Sequence, residues 1–220
     1  MNTNLKNSIL KNDFDRSSKL IMALNLQEND VEILHFVCSI SSPQLQMIKL
    51  LINKGLFINQ KSKLGRNVMH FLCSNPSVTF ESFEFLREMG ADLNEKDKLG
   101  KRAIDYALDN KTIYTNASLM KILLNYIRVN ELNESGNALL HTLCAKVEIN
   151  MQVIKLVFEN NADPKLKNQN QQSCLQIAFG NSNAPFELIE YLMIKGANLD
   201  EIYSDNGICV KTKLSFFSQI

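Results

Sequence analysis

The chain has 220 residues, 45% of them hydrophobic, which is enough for one sizeable domain or for an array of repeats. Its 24 basic and 23 acidic residues leave a formal charge of +1, which excludes a global pull toward nucleic acid or anionic lipid and leaves only a local patch to supply one. The polar opening MNTNLKNSILKNDFDR does not read as a signal peptide, and the apolar runs are too short for a helix across a bilayer, so no membrane insertion is expected. Five cysteines with no CxxC pair fit a reduced compartment. The expected location is therefore cytoplasmic, with the nucleus also compatible.

Along the chain, residues 5–25 read as two short helices and a turn, a degenerate cap covering 1–25. A period then sets in. His35 and His70 are 35 residues apart and His141 follows 71 later; the missing step falls at Asp105, and the series continues to Gln176. Glycines keep the same beat at Gly55, Gly90 and Gly196, with Tyr126 and Asn161 at the intermediate steps. Another series runs Gly65, Gly100, Gly136 and then Gln171. Each period opens with a polar stretch and a turn glycine, continues through a short apolar helix such as Val68–Cys73 and a polar junction, and closes with a second helix such as Phe80–Leu86 and a glycine turn.

These motifs resemble the ankyrin-repeat family, whose first helix carries G-x-T-P-L-H-x-A and whose second runs into L-L-x-x-G-A-D-x-N. The matching segments are Gly65–His70, Gly136–His141 and Ser173–Ala178 for the first motif. For the second they are Leu50–Gly55, Gly90–Asn94, Asn161–Asp163 and Gly196–Asp200. The resemblance implies an all-α fold: an ankyrin solenoid of stacked helix-turn-helix pairs joined by short β-hairpin finger loops. Five repeats are expected at about 26–60, 61–95, 96–131, 132–166 and 167–202, with helix pairs near 31–53, 67–88, 102–126, 138–159 and 173–194. The period here is 35 to 36 against the family's 33, and the interval from His70 to Gly90 places the extra residues between the two helices of a repeat. The threonine and proline of the family signature are absent. Residues 203–220 read as a partial sixth repeat or a C-terminal cap; their apolar Leu214, Phe216, Phe217 and Ile220 either fold back or precede a longer natural chain.

Catalytic and metal chemistry finds no support in the pattern. His35, His70 and His141 share one repeat position, so stacked repeats hold them roughly 8–10 Å apart, while ligands of one metal lie about 2 Å from it. By the resemblance they are structural, bonded to finger backbone, as are the turn positions Gly65, Gly90, Gly100, Gly136 and Gly196. Cys38, Cys73 and Cys144 each lie three residues beyond their histidine and read as small buried packing groups. No G-x-S-x-G, Walker A or HExxH motif occurs. The chain is accordingly read as a non-enzyme with no catalytic residue, metal, cofactor or small-molecule substrate.

The resemblance implies a protein partner on the concave face formed by finger tips and first helices. Two fingers offer a basic strip with a leucine at each tip, Lys61, Lys63, Leu64 and Arg66, then Lys96, Lys98, Leu99 and Lys101. The next two offer Glu134, Ser135 and Asn137, then Gln169, Asn170 and Gln172. Helix-one tips add Ser74, Asn75, Asp109, Asn110, Lys146 and Asn181. The strip is either a set of solvated loops or a contact surface for an acidic segment, anchored by Leu64 and Leu99. In both cases Lys63, Arg66, Lys98 and Lys101 are expected to be solvated and unimportant for stability. The leading function is a scaffold or adaptor. The alternative is the target-recognition portion of a larger signalling or ubiquitin-ligase protein. Nucleic acid is disfavoured because no aromatic interleaves the lysines in sequence.

Overall fold

The structure, a computed structural model, describes residues 3–26, 30, 32–40 and 45–203, and the fold of these residues is all-α. They carry no strand; one isolated antiparallel bridge joins Lys167 and Ser173. None of their helices is long and apolar enough to cross a membrane. The expected partial sixth repeat lies outside the described residues from 204 onward. The chain divides into two compact units, residues 1–127 and 128–220.

The first unit begins with α1 (Thr3–Leu10) and α2 (Phe14–Ala23), which pack on each other. Asp13 starts α2 by accepting from the Arg16 amide at 3.0 Å, the usual way a carboxylate satisfies an orphan donor at a helix start. Leu5, Ile9 and Ile21 are buried, and the hydroxyl of buried Ser17 donates to Ser8 at 2.9 Å. Three further helical groups follow: α3 (Glu32–Ser39) with α4 (Leu45–Asn53), α5 (Val68–Ser74) with α6 (Phe80–Glu88), and α7 (Ala103–Asp109) with α8 (Lys111–Thr115) and α9 (Ala117–Tyr126). Within this unit α3 packs on α5 and α5 on α7, while α2, α4 and α6 pack in succession. The extra residues between helices form α8 in the third group, an element the periodicity did not resolve.

The second unit holds α10 (Leu139–Cys144) with α11 (Met151–Glu159), α12 (Cys174–Gly180) with α13 (Phe186–Ile194), and the short α14 (Asp200–Tyr203). Here α10 packs on α12, and α12 contacts α13 and α14. All these helices are shorter than the roughly 12–15 residues that an isolated helix needs, so packing rather than propensity holds them. Their second helices bury one recurring face at spacing i, i+1, i+4. The set is Met47, Ile48 and Leu51, then Ser82, Phe83 and Leu86, Leu119, Met120 and Leu123, Val153, Ile154 and Val157, and Leu188, Ile189 and Leu192. That spacing puts the three side chains on one side of a helix.

The glycine beats mark left-handed backbone. Where the beat falls on another residue, Asn161 and Gln171 still take φ of 62° and 60°. Tyr126 departs from the series: α9 leaves through Ile127 in an extended conformation, with φ −104°, so no left-handed stop is needed. Gly136 is required for a second reason, since a Cβ there would lie 2.2 Å from the Cβ of Gln169.

Candidate functional site

The recurring histidine position sits in the first turn of each first helix, and at His70 and Gln176 it serves two backbones. The Asn67 amide donates to His70 Nδ1 at 3.1 Å, so Nδ1 is unprotonated and Nε2–H donates to the Lys101 carbonyl at 3.0 Å, in the next finger. Other residues fill the position with the same logic. Asp105 accepts from the Arg102 amide at 2.8 Å. Gln176 accepts from the Ser173 amide at 2.8 Å and donates to the Glu201 carbonyl at 2.9 Å. His141 Nε2 lies 3.0 Å from the Leu166 carbonyl and 3.2 Å from that of Gln172.

His35 departs from the expectation. It is buried and faces the Gln60 backbone, but its Nε2 reaches no partner at good hydrogen-bond geometry, and the ring stacks on Phe71 with centroids 4.6 Å apart. The corresponding contact one repeat later sets Tyr106 edge-on to His70 at 5.8 Å. Burial holds all three histidines below their ordinary pKa. Among the described residues only His70 has both ring nitrogens hydrogen-bonded; His35 Nε2 and His141 Nδ1 are buried without a partner.

Asn75, Asn110 and Asn181 are not tip contacts, which corrects their reading as surface groups. Asn75 and Asn110 are buried. Asn75 Nδ2 donates to the carbonyls of Cys38 and Ile40 at 2.8 and 2.6 Å. Asn110 reaches Cys73 and Asn75 at 3.0 and 2.7 Å, and Asn181 reaches Cys144 and Lys146 at 2.9 and 2.8 Å. Each Oδ1 meanwhile accepts the amide two residues on, at Ser77, Thr112 and Asn183. One amide thus ends its own first helix and satisfies the open carbonyls of the preceding one. A second set, Asn59 and Asn130, pairs in the same two-handed way with Gly90 and Asp92, and with Asn161 and Asp163.

The fingers are hydrogen-bonded turns, each closed by one polar side chain. Asp97 Oδ1 accepts the amides of Leu99 and Lys101 at 2.8 and 3.0 Å. Asn133 does the same for Ser135 and Asn137, and Asn168 for Asn170 and Gln172. Asp97 is only 6% exposed, and its Oδ2 accepts from Tyr106 Oη at 2.6 Å and from Arg66 Nε at 3.3 Å. Burial opposes ionisation of this carboxyl, but those four bonds outweigh it and hold the group below its usual range. Burial and the bond to Asp97 push the Tyr106 phenol up to about 12. The Arg66 guanidinium also lies over the Tyr106 ring, 4.7 Å from its centroid.

This arrangement corrects the expectation of a solvated basic strip. Arg66 is committed to Asp97. Lys101 is half-buried, 5.3 Å above the Tyr106 ring and 3.8 Å from Asp109. Lys61 pairs with Glu95. Lys63 and Lys98 are exposed with no ion-pair partner among the described residues, and beside them Leu64 and Leu99 are 55% and 63% exposed. The Lys98 amide donates to the Leu64 carbonyl at 2.9 Å, so the two Lys–Leu tips lie side by side.

The second unit's fingers are built alike and decorated differently. Gln169 N donates to the Gly136 carbonyl at 3.0 Å, and Asn168 Nδ2 to Asn137 Oδ1 at 2.9 Å. Glu134, Ser135, Asn170 and Gln172 are exposed, but no cation or leucine stands at these tips. Asn137 is half-buried and tied to its neighbouring finger.

The cysteines behave as packing groups: Cys38, Cys73, Cys144 and Cys174 are free thiols and buried. Burial pushes the Cys73 thiol up to about 12 and Cys38 higher still, away from any nucleophilic state. The Cys144 thiol is raised by its contact with Cys174 and by burial. Among the described residues no group of three histidine, cysteine or carboxylate side chains converges as metal ligands would. No protein-family model matches the chain, and no curated protein matches it significantly.

Proposed function

We propose that the chain is a non-enzymatic, ankyrin-type protein-binding module. On this reading it receives an acidic segment of a partner, bearing apolar side chains, on the two adjacent fingers of the first unit. The observation that carries the proposal is the pairing of Lys63–Leu64 with Lys98–Leu99. Two exposed cations with no ion-pair partner among the described residues, and two leucines each more than half exposed, are held together by the Lys98 amide on the Leu64 carbonyl. Surface leucines usually occur singly; two in register beside two free charges give an anchor and a sign in one place. The histidines and thiols support the non-enzymatic half of the reading, because all three histidines and the four described cysteines are buried in the packing between helices.

The reading is tested by selecting peptides from a random displayed library on the immobilised full chain. The selection is run in parallel on the K63E/K98E variant. Acidic sequences carrying leucine-like side chains are expected from the native chain and absent from the variant. Recovery of the same peptides from both proteins would overturn the assignment.

A further inference from the structure

The paired tips raise the question of what makes two separate loops present one surface, and the answer lies beneath them. The Asp97 carboxylate is divided between two tasks. Oδ1 fixes its own finger through the amides of Leu99 and Lys101, the residues that flank and follow the tip. Oδ2 turns the other way, to Tyr106 of α7 and to Arg66, which ends the neighbouring finger. One buried anion therefore joins the Leu99 tip, the Leu64 finger and the helix behind both. Its counterpart in the second unit shows what is general and what is particular. Asn168 also closes its own finger and reaches the neighbouring one, but through a neutral bond to Asn137. The residues of each pair are 31 apart in sequence, so Arg66–Asp97 and Asn137–Asn168 are a charged and a neutral version of one link.

We propose that Asp97 is a positioning residue: through Arg66 it locks the Lys63–Leu64 and Lys98–Leu99 tips into a single recognition surface. This rests on the assignment of those tips as the binding site. The link also neutralises Arg66, so that Lys63 and Lys98 are the cations at the tips with no ion-pair partner among the described residues. The charged tie is longer than the amide tie of the second unit, 3.3 Å against 2.9 Å, so its hold comes from the attraction of opposite charges beside a buried carboxylate rather than from a short hydrogen bond.

The test exploits opposite predictions from geometry and from charge. Asp97→Asn retains an Oδ1 acceptor for the finger amides but places an amide donor against the Arg66 donor. It also makes the surface one unit more positive. If only charge mattered, a short labelled peptide of alternating glutamate and leucine would bind this variant more tightly than the native chain. The positioning role predicts binding weaker by about tenfold. It also predicts exchange of the Lys98 amide, which carries the finger-to-finger bond, faster by about tenfold. The double variant R66N/D97N, which installs the neutral pair of the second unit, should recover most of both losses.

Unchanged exchange at Lys98 in D97N, or no rescue by R66N/D97N, overturns the positioning role whatever the peptide does. Exchange that rises and is rescued while the peptide fails to bind even the native chain upholds the link and overturns the acidic-segment site instead. Tighter binding by D97N with the exchange unchanged leaves charge alone as the determinant and refutes the proposal.

Discussion

The side-chain amide of Asn110 donates to the main-chain carbonyl of Cys73 at 3.0 Å, joining the end of one first helix to the end of the next. Together with its bond to Asn75 O and the Thr112 amide it accepts, this buried side chain satisfies three backbone groups. Asn110→Ala would strip its bond from the buried Cys73 carbonyl and the Thr112 amide and leave the Asn75 carbonyl only its bond from the Val78 amide, at a cost of about 2 kcal/mol. Asn110→Asp would keep the acceptor but set a carboxylate against two carbonyl oxygens, and should be at least as damaging. Chemical denaturation of both variants checks this. Loss of less than about 0.5 kcal/mol, the ordinary surface value, would return Asn110 to the status of a surface group.

His70 should be replaceable by glutamine but not by alanine. Gln176 makes the same two backbone bonds from the same position, so His70→Gln can keep them, whereas His70→Ala should cost about 1–3 kcal/mol. Thermal melts of the two variants at neutral pH separate the cases. Equal losses would mean that the ring's packing, not its hydrogen bonding, carries the effect.

Acid should weaken the fold first through these histidines. Burial lowers their folded pKa below the ordinary 6.5, so the unfolded chain binds more protons between the two values. Their stabilising contribution is complete above about 6.5 and falls as the pH drops through the lowered folded values. The lowered pKa of Asp97 adds a separate loss further into acid, below its ordinary 3.8. Denaturation midpoints measured from pH 7 down to about 4 should decline for the native chain and decline less for H70Q. An identical slope would show that His70 does not titrate differently in the two states.

The cations of the fingers should split into two classes. Lys63→Glu and Lys98→Glu should each shift stability by less than about 0.5 kcal/mol, because the native side chains are exposed and have no ion-pair partner among the described residues. Arg66→Glu should cost about 2 kcal/mol or more, because it removes a bond to a buried carboxylate and sets a second carboxylate against it. Melting temperatures of the three variants decide this, and a neutral Arg66→Glu would restore the solvated strip read from sequence.

Much of the local architecture was legible because it is periodic and made of short-range signals. The histidine beat marks the starts of first helices even at Asp105 and Gln176, since those residues also accept the amide three positions back. The glycine beat marks left-handed turns even at Asn161 and Gln171. Arg66 was misread because its partner lies 31 residues away, and a cation in a loop looks solvated until the neighbouring finger is placed beside it. The asparagines at 75, 110 and 181 were misread although their spacings, 35 and 71, repeat those of the histidines at 35, 70 and 141. That beat was the available signal. It was lost because asparagine is abundant in the chain and the groups it bonds are carbonyls, which no sequence pattern displays.

Partner recognition on the Lys63–Leu64 and Lys98–Leu99 tips can be read residue by residue from amide chemical shifts. A leucine-bearing acidic peptide selected on the native chain would be titrated into the isotopically labelled full chain at low and at high salt. The largest shifts should fall on Lys63, Leu64, Lys98 and Leu99. They should weaken steeply with salt, as the Debye length contracts from about 10 Å at 0.1 M to about 3 Å at 1 M. Shifts centred on Glu134, Ser135, Gln169 and Asn170, or a response indifferent to salt, would contradict it.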